Sequence, residues 1–247
     1  MSLLFQHKTK SAPQVDNPYW MSFSDMMSGM LIIFILVCIA LLYKLSQIED
    51  DVNEGIDELN KSIEVRTKIL KEMKKELREQ IGIIVEITDN DSVLRIPHSS
   101  FKFDTGSYEI NENLKEKAKK IGEILYTAIK KDDRWTSLET VFIEGHADER
   151  DAPEFRHGNW NLSAMRAIEL WRFWIDKTDY GIELSDLENL DGKKLFSVSG
   201  YAATRPVIKN ATNEKEHSQN RRIDIRFTTK QPTIKDLEDV IAPLKEN

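Results

Sequence analysis

Apolar and polar positions divide the chain into three parts, the first of which is a run without charged side chains. The run covers residues 26–43, eighteen positions in all. As an α-helix it would span roughly 27 Å, close to the ~30 Å hydrocarbon thickness of a bilayer. Aromatic residues of the type that favours membrane interfaces flank it at Tyr19, Trp20 and Tyr43. The pattern predicts a transmembrane helix over residues 19–43, preceded by a tail of residues 1–18.

A cleaved signal peptide and a buried core helix are the alternatives for this run. The run is longer than the apolar part of a signal peptide, and no small-residue cleavage site follows it. Its consecutive apolar positions also leave no polar face, unlike an amphipathic helix at a protein surface.

Charges on the two sides of the run differ in sign. Lys8 and Lys10 precede it, whereas residues 49–58 are rich in aspartate and glutamate. Positive charge is retained on the cytoplasmic side of a membrane. We therefore expect a cytoplasmic N-terminus, a single span of the inner membrane and a periplasmic C-terminal part.

Residues 44–81 form the second part, a charged connector without proline. Its apolar residues recur with heptad spacing, interrupted by Arg66, at Leu45, Val52, Ile56, Leu59, Ile63, Leu70, Met73 and Leu77. This spacing predicts a helix that pairs with a second copy of itself, and hence a dimer. The alternative is a single amphipathic helix resting on the following domain or on the bilayer surface.

The third part, residues 82–230, changes to short strands alternating with helices. Two apolar segments flank the turn signal Asp89-Asn90-Asp91 and predict a hairpin. Further strands are predicted at 140–143, 196–199 and 222–227, and helices at 111–131 and 161–176. The order predicts an α/β domain with helices packed on a sheet. In the remaining tail, residues 231–247, the apolar residues allow a short amphipathic helix.

Composition and charge narrow the range of functions. The 247 residues carry a net charge of -7, which argues against broad nucleic-acid binding. The one cysteine, Cys38, cannot form an internal disulfide. Glu144, His146 and Asp148 lie close together, but no metal-binding signature such as H-E-x-x-H accompanies them. We predict that the protein is not an enzyme and has no cofactor.

Asp25 is an acidic residue of the predicted membrane segment, and we expect it to have a functional role. A carboxylate in a membrane helix costs ~2.5–3.5 kcal/mol on insertion scales, and such residues mark ion pathways. Ser22, Asp25 and Gly29 share one helical face, which suits packing against partner helices. Alternatively, Asp25 lies at the interface and only ends the helix. One span cannot form a channel alone, so an ion pathway requires a partner with further helices.

Residues 18–28, PYWMSFSDMMS, resemble the start of the MotB-type stator subunits. In that family the corresponding aspartate binds the translocated proton or sodium ion, a role that the resemblance implies for Asp25. It also implies a MotA-like multi-span membrane partner. The segment after the span acts as a plug in the family, and residues 45–60 correspond to it here.

The third part resembles the OmpA-like peptidoglycan-binding domain, a helix-on-sheet α/β sandwich. Four motifs carry the resemblance, namely FKFDTGS at 101–107, IEGHAD at 143–148, NLSAMRA at 161–167, and GYAATRP at 200–206 followed by NRRI at 220–223. The resemblance implies binding to peptidoglycan of the cell wall.

The same resemblance assigns roles to individual residues. In the family, the aspartate and arginine matching Asp148 and Arg166 bind diaminopimelate of the wall peptide. An arginine fork can pair with a carboxylate of this zwitterion, and an aspartate can take its ammonium group. Asn161 would position the ligand and Arg221 would line the same site. Ala147 departs from the usual threonine, and the segment from 149 to 160 is longer than typical.

Two classes of function follow from these features. The first is the wall-anchored subunit of an ion-driven rotary motor, and the second is a passive wall tether with a membrane anchor. Ser24 before Asp25 and the short, mildly basic N-terminal tail resemble the motors of Zorya anti-phage defence, whose ZorB subunit has this layout and works with ZorA. Flagellar motility is the alternative motor.

Overall fold

The computed structural model describes residues 18–104 and 106–230. It contains two compact units, and the larger one spans Glu54–Leu237. The predictions for the tails at 1–17 and 231–247 lie outside the described residues.

The predicted span and connector form one α-helix, α1, over Pro18–Ile81. Proline is tolerated at the first position of a helix, where its missing N–H would have no intrahelical partner. The helix ends at Gly82, whose φ of 64° lies in the left-handed region. The N–H of Gly82 then donates to the carbonyl of Arg78, and that of Ile83 to Leu77. Helical structure is thus confirmed along the whole of the two predicted segments.

The second half of α1 packs into the core of the larger unit. Its fully buried residues are Ile69, Leu70, Met73 and Leu77. Arg66, which interrupts the heptad pattern, donates from Nε to the carbonyl of Asp91 at 2.9 Å and from Nη2 to that of Asn90 at 3.0 Å. Arg66 therefore anchors the helix to the predicted hairpin turn.

This packing distinguishes the two interpretations of the second half of the connector. Leu70, Met73 and Leu77 contact the domain core and are not available for a coiled coil with a second copy. The alternative, an amphipathic helix resting on the domain, describes this half of α1. The compact unit that contains the domain begins at Glu54 and so includes this part of the helix.

A five-stranded sheet forms the centre of the domain. Its strands are β1 (Glu86–Thr88), β2 (Val93–Pro97), β3 (Thr140–His146), β4 (Phe196–Gly200) and β5 (Arg222–Thr228). They lie in the order β1-β2-β5-β3-β4. Only β3 and β4 are parallel, while the other neighbours are antiparallel. The predicted hairpin is confirmed as β1 and β2, and its turn places three residues at positive φ, Asp89, Asn90 and Asp91.

Four further α-helices complete the domain, namely α2 (Glu112–Lys130), α3 (Asn159–Lys177), α4 (Gly181–Asp186) and α5 (Glu214–Asn220). A 3₁₀ segment, Lys131–Ser137, follows α2. The side chain of Asn111 caps α2 by accepting a hydrogen bond from the N–H of Leu114 at 3.2 Å. The predicted α/β class with helices on a sheet is confirmed. Among the described elements, the 3₁₀ segment and the short helices α4 and α5 were not predicted.

The backbone of helix α3 packs directly against the backbones of β3 and β4. A Cβ atom on Gly145 would lie 1.9 Å from the carbonyl oxygen of Ser163, and one on Gly200 would lie 2.4 Å from the nitrogen of Ala164. Gly145 and Gly200 are direct neighbours in the sheet. Because only glycine leaves room for this approach, the two residues fix the start of α3 over the ends of these strands.

The burial of α1 in the domain predicts a loss of stability on Leu70→Ala. Removing a fully buried leucine side chain should lower the free energy of unfolding of the full chain by about 2–5 kcal/mol. Denaturant unfolding of the detergent-solubilised protein would measure the change. Ile84→Ala is the matched control, because Ile84 is 69% exposed and its truncation should cost no more than about 0.5 kcal/mol. Equal effects of the two substitutions would contradict the packing of α1 on the domain.

Candidate functional site

The predicted site residues come from three elements that meet at one end of the sheet. Asp148 follows β3, Arg166 lies on α3, and Arg221 directly precedes β5. The close approach of α3 to Gly145 brings these elements together. The N–H of Ala202, after β4, also donates to Oγ of Ser163 at 3.0 Å and ties the helix to that end of the sheet.

Asp148 lies in a closed ring of alternating charges. The residue is 5% exposed. Its Oδ2 accepts hydrogen bonds from Nη2 of Arg150 at 2.6 Å and from Nη1 of Arg221 at 2.5 Å. Glu214 of α5 completes the ring by accepting from Nη1 of Arg150 at 2.8 Å and from Nη2 of Arg221 at 2.5 Å. The structure therefore pairs Asp148 with Arg221, as expected for one site, and adds Arg150 and Glu214.

The ring determines the charge state of Asp148. Burial alone would raise the pKa of this carboxyl group. The hydrogen bonds from Arg150 and Arg221 outweigh burial and hold the pKa below its ordinary value. Asp148 is therefore a carboxylate at neutral pH and can accept hydrogen bonds from cationic groups.

Arg166 is held beside the ring by backbone groups. It is 4% exposed. Nε donates to the carbonyl of Ser107 at 2.9 Å, Nη2 donates to that of Asp104 at 3.3 Å, and the guanidinium carbon lies 5.2 Å from the ring centroid of Phe103. Burial, then the nearby Arg221, lower the pKa of Arg166 to about 10, against the opposing effect of Asp148. The residue stays cationic at neutral pH, and its orientation is fixed before any ligand arrives.

The asparagine that contacts the site is Asn159, which the sequence analysis did not select. Its Nδ2 donates to the carbonyl of Asp148 at 3.0 Å and to that of Arg150 at 2.7 Å. Asn159 and Arg166 are seven positions apart and so share a face of α3. The predicted residue, Asn161, is half-buried and forms no hydrogen bond with any residue that the structure describes. Its role in binding stays a prediction.

A second charged cluster lies on the sheet face that points away from α3. Glu144, His146 and Asp224 place possible metal-ligand atoms within 4.8 Å of one another. Asp224 accepts hydrogen bonds from Arg95 and Arg222, while Glu144 accepts from Arg226 and Tyr201. With three arginines around two carboxylates and a neutral imidazole, the cluster carries excess positive charge, which opposes the binding of a metal cation.

Asp25 lies on α1 within a stretch whose side chains are nearly all exposed in this chain. It forms no hydrogen bond or ion pair with any residue in the described part of the chain. The neighbouring hydroxyl of Ser28 donates to the carbonyl of Ser24 at 2.7 Å and is satisfied within the helix. No atom lies within 4 Å of the Cβ position at Gly29, so the face predicted from Ser22, Asp25 and Gly29 is open.

The ring predicts a pH-dependent contribution of Asp148 to stability. Asp148→Asn should lower the free energy of unfolding by about 1–3 kcal/mol at pH 7, because charged hydrogen bonds to two arginines are lost. The folded-state pKa of Asp148 is depressed, so its contribution is present above the unfolded pKa and disappears as the pH falls through the folded one.

Denaturant unfolding from pH 7 towards pH 3 would follow the difference between the wild type and Asp148→Asn. The matched control is Asp176→Asn on α3, where an exposed pair with Arg172 at 3.7 Å contributes little. A difference of constant size across this pH range would contradict the ring.

Comparison with known proteins identifies the domain. Residues 102–221 match the OmpA family. The YtxE protein of Bacillus subtilis is 26% identical over 240 residues, which cover 86% of this chain and 88% of that protein. Motility protein B of the same bacterium is 29% identical over 164 residues, or 65% of this chain and 54% of that protein. The Zorya protein ZorB of Escherichia coli is 22% identical over 225 residues, which cover 90% of this chain and 85% of that protein.

A solved structure agrees with the fold. The crystal structure of a MotB-like protein from Desulfovibrio vulgaris superposes with a TM-score of 0.51 at 19% identity, covering 70% of this chain and 99% of that one. Residues 102–221 thus match the OmpA family, in a chain that also has a long apolar helix and a helical connector.

Proposed function

We propose that this protein is the peptidoglycan-anchored subunit of an ion-driven motor in the inner membrane, serving anti-phage defence of the Zorya type. One observation carries the proposal. A single chain combines an aspartate in a long apolar helix with an OmpA-family domain whose ionic site fits a zwitterionic ligand.

The wall-binding half of the proposal rests on the arrangement of Asp148 and Arg166. The fixed guanidinium of Arg166 would pair with a carboxylate of diaminopimelate, and Asp148 would take the ammonium group. Arg221, in contact with Asp148, would line the site, and Asn161 would help to position the ligand. Entry of the ammonium group requires Arg150 to leave Asp148. The side chain of Arg150 is 51% exposed, so it can move into solvent while keeping its pair with Glu214.

The membrane half of the proposal rests on Asp25. The apolar part of α1 is long enough to cross a bilayer. With the N-terminus in the cytoplasm, the C-terminal domain reaches the wall in the periplasm. No described side chain of this chain covers Asp25. Because a carboxylate facing lipid is costly, helices of a MotA-like or ZorA-like partner would cover it and form the path for the proton or sodium ion.

A second copy of the chain would pair along the first half of the connector. Leu45, Val52 and Ile56 continue the heptad spacing and are 61%, 42% and 50% exposed. An exposed apolar stripe with this spacing is typical of a coiled-coil seam. We infer a dimer through residues 45–60, whether or not the same segment also acts as a plug.

The choice of defence over motility rests on the span of the similarity. The similarity to ZorB extends over 85% of that protein, whereas the similarity to motility protein B covers 54% of its length. Ser24 before Asp25 points in the same direction. The 29% identity to motility protein B keeps a flagellar stator subunit as the second candidate. A passive tether is the third, but it has no use for Asp25.

Asp25→Asn tests the ion-coupling role in cells that also carry the partner subunit. An amide cannot take up and release a cation, so we expect phage plating efficiency, or swimming if the system drives motility, to fall to the level of cells lacking the protein. Glu64→Gln, an exposed acidic position of α1 outside residues 45–60, is the control and should keep full activity. Unchanged protection and motility with Asp25→Asn at normal protein levels would leave only the tether.

Arg166→Ala tests the wall site separately. Loss of a charged, pre-oriented hydrogen-bond donor should weaken binding of the full chain to isolated peptidoglycan sacculi by at least about tenfold. Arg172→Ala on the same helix removes an exposed arginine from a loose pair and should bind as the wild type does. Sedimentation with sacculi would measure both variants, and equal binding by Arg166→Ala would remove the assignment.

A further inference from the structure

His98 is a polar residue of the domain that the proposed wall site has not yet used. It directly follows β2, in a turn where the N–H groups of Ser100 and Phe101 donate to the carbonyl of Pro97. The residue is 8% exposed. Neither of its ring nitrogens has a hydrogen-bond partner among residues 18–104 and 106–230. The imidazole therefore has hydrogen-bonding capacity that none of these residues uses.

The sheet register places His98 beside the proposed wall site. Pro97 of β2 pairs with Arg222 of β5, so His98 lies next to Arg221 at the same end of the sheet. Arg221, Arg166, Lys102 and Glu214 all act electrostatically on its imidazole. Burial is the main cause that lowers the pKa of His98 to about 4, the three cations lower it further, and Glu214 opposes them. At neutral pH the imidazole is therefore uncharged and offers one N–H donor and one acceptor nitrogen.

The hydrogen-bond donors that remain unused near His98 and Arg166 suit an anion. Arg166 uses Nε and Nη2 on backbone carbonyls, and its Nη1 forms no hydrogen bond with the described residues. Both terminal nitrogens of Arg221 are taken by Asp148 and Glu214. Among the donors that remain are Nη1 of Arg166 and the N–H of His98, near the ammonium group of Lys102. A carboxylate is the group that would satisfy both donors.

We propose that His98 is a further binding residue of the wall site and donates a hydrogen bond to the diaminopimelate carboxylate that Arg166 binds. The proposal rests on the wall-binding function proposed above and extends it by one residue. His98 lies outside the four motifs that the sequence analysis matched to the family.

The proposal has a pH signature. A bound carboxylate next to His98 favours the imidazolium form, so the pKa of His98 is higher in the complex than in the free protein. By linkage, the complex takes up a proton, and the contribution of His98 to affinity grows as the pH falls from neutrality towards the free-state pKa. A histidine that only supports the fold would not respond to the ligand in this way.

The test uses the full chain in detergent and a soluble wall tripeptide, L-alanyl-γ-D-glutamyl-meso-diaminopimelate, at pH 7.5 and 5.5. We expect His98→Ala to bind this peptide about tenfold more weakly at pH 7.5 and to lose more at pH 5.5, since a hydrogen bond to a charged group disappears. At least one of His98→Asn and His98→Gln should recover to within about threefold at pH 7.5, because an amide N–H can replace the donor, yet without the gain at pH 5.5.

Two controls make the result specific. His157→Ala removes an exposed histidine of the neighbouring loop and should bind as the wild type does. A tripeptide with lysine in place of diaminopimelate lacks the side-chain carboxylate, so the wild type and His98→Ala should bind it equally weakly. Thermal melting of each variant reports on its fold, and the Asn and Gln variants keep the test open if His98→Ala does not fold.

The outcomes separate this inference from the proposed function. If Arg166→Ala weakens binding of the diaminopimelate peptide but His98→Ala does not, the inference about His98 is wrong and the wall site remains. If His98→Ala lost the same factor of affinity at both pH values and for both peptides, His98 would have only a structural role. That result would also overturn the inference. If Arg166→Ala binds as the wild type does, the wall-binding function itself fails.

Discussion

The contact between α3 and the two glycines of β3 and β4 sets the geometry of the candidate site. Gly145 and Gly200 lie side by side in the sheet and let the helix backbone approach where any other residue would collide with Ser163 or Ala164. The first turns of α3 are thereby held over the strand ends from which Asp148 and Ala202 emerge. The position of Arg166 is a consequence of this approach, because less than one turn of helix separates it from Ser163 and Ala164, the residues that contact the glycines.

The two charged clusters of the domain differ in how easily their ion pairs can exchange partners. Around Glu144 and Asp224, each of Arg95, Arg222 and Arg226 has a carboxylate partner, and the two carboxylates are almost completely buried. This cluster therefore serves to hold the sheet face together. Around Asp148 the ring includes two exposed members, Arg150 and Glu214, whose pair lies in solvent. An exposed ion pair contributes little and reforms easily. Exchange of partners therefore costs little free energy at the Asp148 ring and much more at the cluster of Glu144 and Asp224. This difference favours the Asp148 ring as the place for a charged ligand.

The fold was largely predictable because its long elements carry strong periodic patterns. The strands, α2, α3 and the helical character of residues 19–81 follow from alternation, capping and heptad spacing. The pattern could not distinguish burial against the domain from pairing with a second copy, since both require the same apolar stripe. Arg66 was the available signal, as a charged residue at a seam position that finds backbone carbonyls in the hairpin turn. The short helices α4 and α5 have too few turns to show a period.

The site was predictable in part, for a related reason. Asp148, Arg166 and Arg221 lie in motifs that can be matched letter by letter. Asn159 lies two residues before the matched stretch, and Arg150 and Glu214 lie in loop and short-helix segments whose contacts depend on tertiary structure. His98 shows no sequence signal, because its environment is created by residues distant in the chain. Asn159 could have been found from helical spacing alone, since it shares the face of α3 that carries Arg166.

The burial of Ile69, Leu70, Met73 and Leu77 also restricts which insertions and deletions α1 can tolerate. An insertion or deletion of one residue turns the rest of a helix by about 100° and would move a polar residue into the core. Between residues 65 and 81 such events would therefore be eliminated. Upstream, where the helix is exposed, the same events would leave the domain intact. Variation in the length of α1 should accumulate in that upstream stretch and spare the packed one.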